Sequence, residues 1–321
     1  GTGRRRPHRR AHGSLMMAKI PQWRAAADPD DLREYDTFGP WILEVTDPAD
    51  LPRRFHPWWP ELEGARHLLK VPRPIDRAKI KPGMDLYESV IAVFPDTVRV
   101  LRAAPGDSDV SSREASRRDV VATIMHTNLL VARWTLLLAD GGAMEIEYNA
   151  VSHPTIAEVD RYVLSGDDGD ATPPARAATP PAAQPRNHFF GSLVLALNSG
   201  AADRVQPVYV DEPGQPCLNE RGRRRRSAGA MILESSRDLV IIDRTRAAEA
   251  LFRRPNYGYN VTRVPFRRIT SYEIRSPEAT SPPSFGELVL RCDRAVITQA
   301  VLTPPDAVAD LLAAHGVTSA R

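Results

Sequence analysis

Leu129-Leu130-Val131-Ala132-Arg133-Trp134-Thr135-Leu136-Leu137-Leu138, then Ala139-Asp140-Gly141-Gly142, then Ala143-Met144-Glu145-Ile146-Glu147-Tyr148 is the stretch on which the fold class turns. Met144, Ile146 and Tyr148 alternate with Ala143, Glu145 and Glu147. That period of two marks a strand with one buried and one wet face. Asp140-Gly141 tolerates the positive φ of a tight turn, so the two apolar runs are expected to form a hairpin. Upstream, 120–124 is a further strand, 104–118 a polar surface loop, and 90–94 with 98–101 a hairpin about Pro95-Asp96. Downstream, Ile156, Val159, Tyr162 and Val163 share one face of a helix that ends at Gly166. Ser152 or Thr155 can cap it, and Glu158 and Asp160 fall on its wet side.

The lead-in, 23–74, is irregular and aromatic. Residues 30–35 open a turn or short helix, and 38–45 run from a turn into a short strand. Pro57-Trp58-Trp59-Pro60 is rigid, and its prolines argue against helix. Residues 166–186 hold five prolines and almost no large apolar side chain, which predicts a semi-extended linker. The second half then repeats the first in order. Strands at 230–234 and 239–243 flank a Ser-Ser-Arg-Asp turn, and strands follow at 261–269, 270–274, 287–292 and 295–302. A Pro/Ser loop fills 276–284. A helix closes the half, with Thr303 as N-cap, Pro304 at N1, Val308, Leu311 and Leu312 as its apolar stripe and Gly316 as its stop.

A length of 321 residues suits two domains. Lys and Arg number 43 against 40 Asp and Glu, but five of those arginines lie within residues 1–15. Without them the balance is 38 against 40, so no global positive field points to nucleic acid. Two cysteines, Cys217 and Cys292, make no disulfide framework and fit a reducing compartment, so a cytoplasmic location is expected. No apolar run is long enough for a transmembrane helix, and no apolar segment of signal-peptide type follows the basic N-terminus. The expected organisation is a basic arm at 1–22, a domain at 23–165, the linker at 166–186 and a second domain at 187–317.

In each half, a hairpin, further strands, a last hairpin and one amphipathic helix follow in order. That order resembles the bacterial form of the pleckstrin-homology-like fold, in tandem. Residues 264–273, Val-Pro-Phe-Arg-Arg-Ile-Thr-Ser-Tyr-Glu, and 120–124 look like the central strand segments of that family. The resemblance covers roughly 87–165 and 229–316. It implies a mainly β (α+β) fold of two bent-sheet, partly open β-barrel domains, each closed by its C-terminal helix. It also implies a scaffold that binds peptides, proteins or lipids, and it fixes no site residue.

The residues offer no catalytic constellation. The eight histidines have no partner at ligand spacing, no phosphate loop opens a helix, and no nucleophile elbow occurs, so neither metal nor cofactor is expected. Three clusters remain as binding candidates. Arg223, Arg224, Arg225 and Arg226 form a basic run, read most simply as a solvated loop ahead of the first strand of the second domain. Arg253, Arg254, Tyr257, Tyr259 and Arg263 can line a groove for an anionic ligand, or the tyrosines can pack on a neighbouring strand. Trp58 and Trp59 can recognise a partner held between the domains, or plug the open end of the first barrel. The reading is a non-catalytic binding protein, with an enzyme whose site the residues do not announce as the alternative. Its partner is a protein or peptide, with an anionic lipid surface as a further option and nucleic acid disfavoured.

Overall fold

The computed structural model describes residues 24, 26–106, 109–165, 184–199, 201, 203–218, 222–244, 257–275, 282, 284–302 and 305–320. The arm at 1–22, most of the linker expected at 166–186, and Arg253 and Arg254 lie outside them.

The described chain is mainly β, in antiparallel sheets of which none closes into a barrel. Helix α1 (Pro29–Thr37) comes first, then β1 (Leu43–Glu44) and the single turn α2 (Trp59–Leu62). Strands β2 (His67–Pro72), β3 (Tyr87–Val93), β4 (Thr97–Ala103) and β5 (Val110–Ser116) line up after β1 as one five-stranded sheet. A 3-10 turn, Arg117–Asp119, leads to β6 (Val120–Asn128), β7 (Val131–Leu138), β8 (Ala143–Asn149) and helix α3 (His153–Ser165).

The second half opens with helix α4 (His188–Asn198) and β9 (Gln206–Asp211). A small ribbon, β10 (Pro216–Leu218) with β11 (Arg224–Arg226), precedes β12 (Ala230–Glu234), β13 (Asp238–Arg244) and β14 (Tyr259–Pro265). Another 3-10 turn, Phe266–Arg268, leads to β15 (Ser271–Arg275), β16 (Gly286–Cys292), β17 (Ala295–Val301), helix α5 (Asp306–Ala314) and β18 (Thr318–Ser319).

The central sheet joins the halves. Its order is β8-β7-β6-β14-β13-β12-β9, with three strands from the first half and four from the second. The joint is the antiparallel pair β6 and β14, where Thr123 stands opposite Arg263 and Thr127 opposite Tyr259. A last sheet, β17-β16-β15-β18, is antiparallel except for the β15–β18 pair.

Strand alternation gives the first and central sheets two apolar faces each. In the first sheet, Leu69, Ile91 and Val100 meet Trp134, Ile146 and α3 on one side. On the other side, Val90, Ala92 and Leu101 meet the lead-in through Leu51, Phe55 and Leu62. In the second half, Ile232 and Ile241 pack on Leu288, Leu290 and α5, while Met231 and Val240 pack on α4 through Phe190. Arg117 donates to the Tyr162 carbonyl near the end of α3, and Arg267, from the second 3-10 turn, donates to the Leu164 carbonyl at 2.6 Å. Two guanidiniums thus meet the carbonyl-rich, electronegative end of that helix, one of them across the joint.

Several expectations change. The predicted loop 104–118 contains β5, an edge strand whose Ser, Arg and Glu side chains are mostly exposed and so carry no alternation to read. Pro57-Trp58-Trp59-Pro60 is helical: a 3-10 turn, Arg53–Trp58, runs into α2, and Pro60 sits in that helix's first turn, where no N–H is needed. Helix α4 was not predicted; Asn187 caps it through the Phe189 N–H. Helix α5 starts at Asp306 with Pro305 in the cap position, and Thr303 and Pro304, expected as N-cap and N1, lie outside the described residues. Ser152 does not cap α3; its hydroxyl accepts the Ile42 N–H at 2.7 Å. Asp160, expected on the wet face, is fully buried.

Candidate functional site

Strand β14 places different chemistry on its two faces. Tyr259, Val261 and Arg263 point one way, toward α3 and α4, and Asn260, Thr262 and Val264 the other.

On the first face a buried charge cluster sits at the joint. Trp134 donates its indole N–H to Asp160 at 2.8 Å, and Arg263 Nε lies 3.7 Å from the other carboxylate oxygen. Arg263 also reaches Asp238, at 4.0 Å. Burial pushes the Asp160 carboxyl up, and Arg263, Thr123 and Trp134 hold it back. Burial likewise pushes Asp238 up, to about 6, against the pull of Arg263. Arg263 therefore serves two carboxylates, with a weaker pull from Arg267 on Asp238. Arg263 was expected beside Tyr257 and Tyr259 in an open groove. Instead its side chain is only 14% exposed and committed to this cluster.

On the second face a cleft of about 480 Å³ lies between the central sheet and β17. Ile124, Thr262 and Ile241 form its floor, as one row across β6, β14 and β13. The next row outward is polar. His126 Nδ1 meets Asn260 Oδ1 at 2.8 Å, and the Asn260 amide donates to both Asp243 oxygens, at 3.2 and 3.3 Å. Ala230 links Asp243 to Asp211 along that row. Strand β17 crosses above, from Arg294 N–H bonded to the Ala139 carbonyl to Leu302 N–H bonded to Asp211 at 2.7 Å. This row escaped the sequence reading because β6 and β14 are more than 130 residues apart and nothing local announces their pairing.

A third feature is apolar. Among the described residues, nine large apolar side chains are exposed, and six of them gather at one end of the central sheet. Leu129, Leu130 and Val131 form the β6–β7 turn, with Leu129 at 65% exposure and at φ 55°, a conformation that is costly for leucine. Val151 lies alongside, since the Ala150 N–H bonds the Leu130 carbonyl. Trp41 is next to Ile42, whose N–H reaches Ser152. Tyr257 lies two residues before β14, whose first residue, Tyr259, stands opposite Thr127, two residues short of Leu129.

The other candidates are placed as follows. Arg223 precedes β11, and Arg224, Arg225 and Arg226 form that strand, all exposed. They are thus part of a two-stranded ribbon, where a loop was expected, and strand alternation sends neighbouring guanidiniums to opposite faces. Tyr259 packs edge-on against Phe189 at 5.4 Å, whereas Tyr257 is exposed. Trp58 and Trp59 are half-buried against the apolar layer beneath the first sheet. The central sheet takes strands from both halves.

Burial pushes the Cys292 thiol up to about 12, which keeps it protonated. Among the described residues, no three His, Cys, Asp or Glu side chains gather as metal ligands, and no helix is long and apolar enough to cross a membrane. The chain matches no protein-family model and no curated protein.

Proposed function

We propose that this chain is a non-catalytic binding protein of two pleckstrin-homology-like units, and that it docks a protein partner on the apolar end of its central sheet. The tandem reading draws support from the repeated order of four strands, a 3-10 turn, three strands and a helix, once in β2–β8 with α3 and again in β9, β12–β17 with α5. The gathering of Trp41, Leu129, Leu130, Val131, Val151 and Tyr257 carries the functional reading. Leaving such side chains in water forgoes about 1.5–3 kcal/mol each relative to burial, so their concentration at one place favours an interface there.

A photo-cross-linking residue introduced at Leu130 tests this. A discrete protein adduct is expected in cells, absent from the same probe at exposed Glu158 and lost on Leu129→Asp. Adducts equal at both positions, or none at Leu130, overturn the reading. Adducts with lipid in place of protein would move it to a membrane surface.

A further inference from the structure

We propose that the outer edge of β17 is a docking site for an extended peptide, which adds to it as a strand lying in the cleft. This site is separate from the apolar end. The direction of the main-chain groups carries the proposal. Arg291 gives its carbonyl to the Thr270 N–H, so its backbone groups face β15 and not β17. Arg291 stands opposite Val296, which makes that pair a non-hydrogen-bonded one, and Val296 points its N–H and C=O away from β16. By alternation Thr298 and Ala300 do the same.

The flanking residues of equal parity agree. Arg294 N–H reaches Ala139, Leu302 N–H reaches Asp211, and the Ala300 carbonyl accepts from the Gln299 amide at 2.8 Å. Both ends of the edge are thus occupied. Between them, among the described residues, the N–H and C=O of Val296 and Thr298 and the N–H of Ala300 have no protein partner.

The cleft meets this edge and not one face of the strand, because it touches five consecutive residues, 296 to 300. A main-chain ladder with free donors and acceptors in alternation is matched by another extended backbone. The strand carries no charge and no proline to repel one, and edge strands are usually blunted by such residues. An added strand would direct alternate side chains at Ile124 and Ile241. Asp211, Asp243, Arg244 and Glu287 all line the cleft; Asp211 is buried and accepts the Leu302 N–H, while the Arg244 guanidinium lies over the Phe189 ring at 5.3 Å. The peptide that fits alternates apolar residues with a Lys or Arg set toward Asp243.

The test selects from a displayed library of random octapeptides on the full chain, then follows amide hydrogen exchange with one synthetic winner. Enrichment of alternating apolar and basic octapeptides is expected, with new protection at Val296, Thr298 and Ala300 and none at Ile297 or Gln299, whose amides already face β16. Thr298→Pro removes only an outward-facing N–H, so it should keep the fold and weaken the peptide at least tenfold. Asp243→Asn should weaken it less and lower its salt dependence. If no octapeptide is enriched, if winners leave those three amides unprotected, or if a folded Thr298→Pro binds with full affinity, the proposal fails. Concentration-dependent protection without peptide also overturns it, in favour of pairing with a second copy. Leu129→Asp should leave the octapeptide bound, so this proposal and the apolar-end reading can fail independently.

Discussion

The two faces of β14 meet the joint between the halves in opposite ways. One face holds Arg263 between two buried carboxylates, where charge is expensive and each group depends on the others. The other holds Asn260 between His126 and Asp243 at the mouth of a cleft, where water can replace a lost partner. The same strand pairing places both rows. The difference teaches that the joint is specified from the dry side, while the open side borders a cleft.

The largest test of that contrast is Arg263→Met. It leaves Asp160 fully buried without its cation, and Asp238 with only the weaker pull of Arg267. A loss of about 3–5 kcal/mol in unfolding free energy is expected, as for other buried pairs broken on one side. Urea titration measures it. A loss near that of an exposed pair, roughly 1 kcal/mol or below, would show that the cluster does not fasten the joint.

Next in size is the pH dependence of the same face. The Asp238 carboxyl sits near 6 in the fold and at 3.8 when free. Between those values the folded chain holds more protons than the unfolded one, so stability falls as pH rises through about 6. The contribution is present at pH 4 and gone by pH 7, with a size on the order of 2 kcal/mol. Other carboxylates titrate in the same window, so the readout is a difference. Subtracting the Asp238→Asn variant from the wild type, measured in urea at pH 5 and at pH 7, should isolate a term that favours the wild type more at pH 5. A pH-independent difference would place Asp238 in water.

How far the sequence reaches follows from the same residues. Period-two runs such as 143–148 and turns such as Asp140-Gly141 are local, and the hairpins they predict form, with Gly141 at φ 88°. Strand β5 has no such alternation because both its faces are wet. Helix α4 is apolar nearly all round and sits directly after the Pro-rich stretch, so it carries no 3.6-residue alternation to mark it. Arg263 and Asp160 look like surface charges one at a time. Only the pairing of β6 with β14 and the crossing of α3 bring them together, and neither has a local signature. Tyr259-Asn260-Val261-Thr262-Arg263-Val264 is the one place where a signal existed. Polar residues stand on both faces of a strand central in its sheet, which needs partners on both sides.

The smallest expected effect is on the open face. Asn260→Ala removes the bridge between His126 and Asp243, both only half-buried and able to turn to water. A cost of about 0.5–1.5 kcal/mol is expected, that of a hydrogen bond with solvent as the alternative partner. The value matters relative to Arg263→Met, three residues along the same strand. Should Asn260→Ala cost as much, the polar row would be a structural tie across the joint, and the cleft beside β17 would be held shut by it. A small cost together with unchanged β17 exchange would leave the row what its position makes it, a wet rim over a floor of Ile124, Thr262 and Ile241.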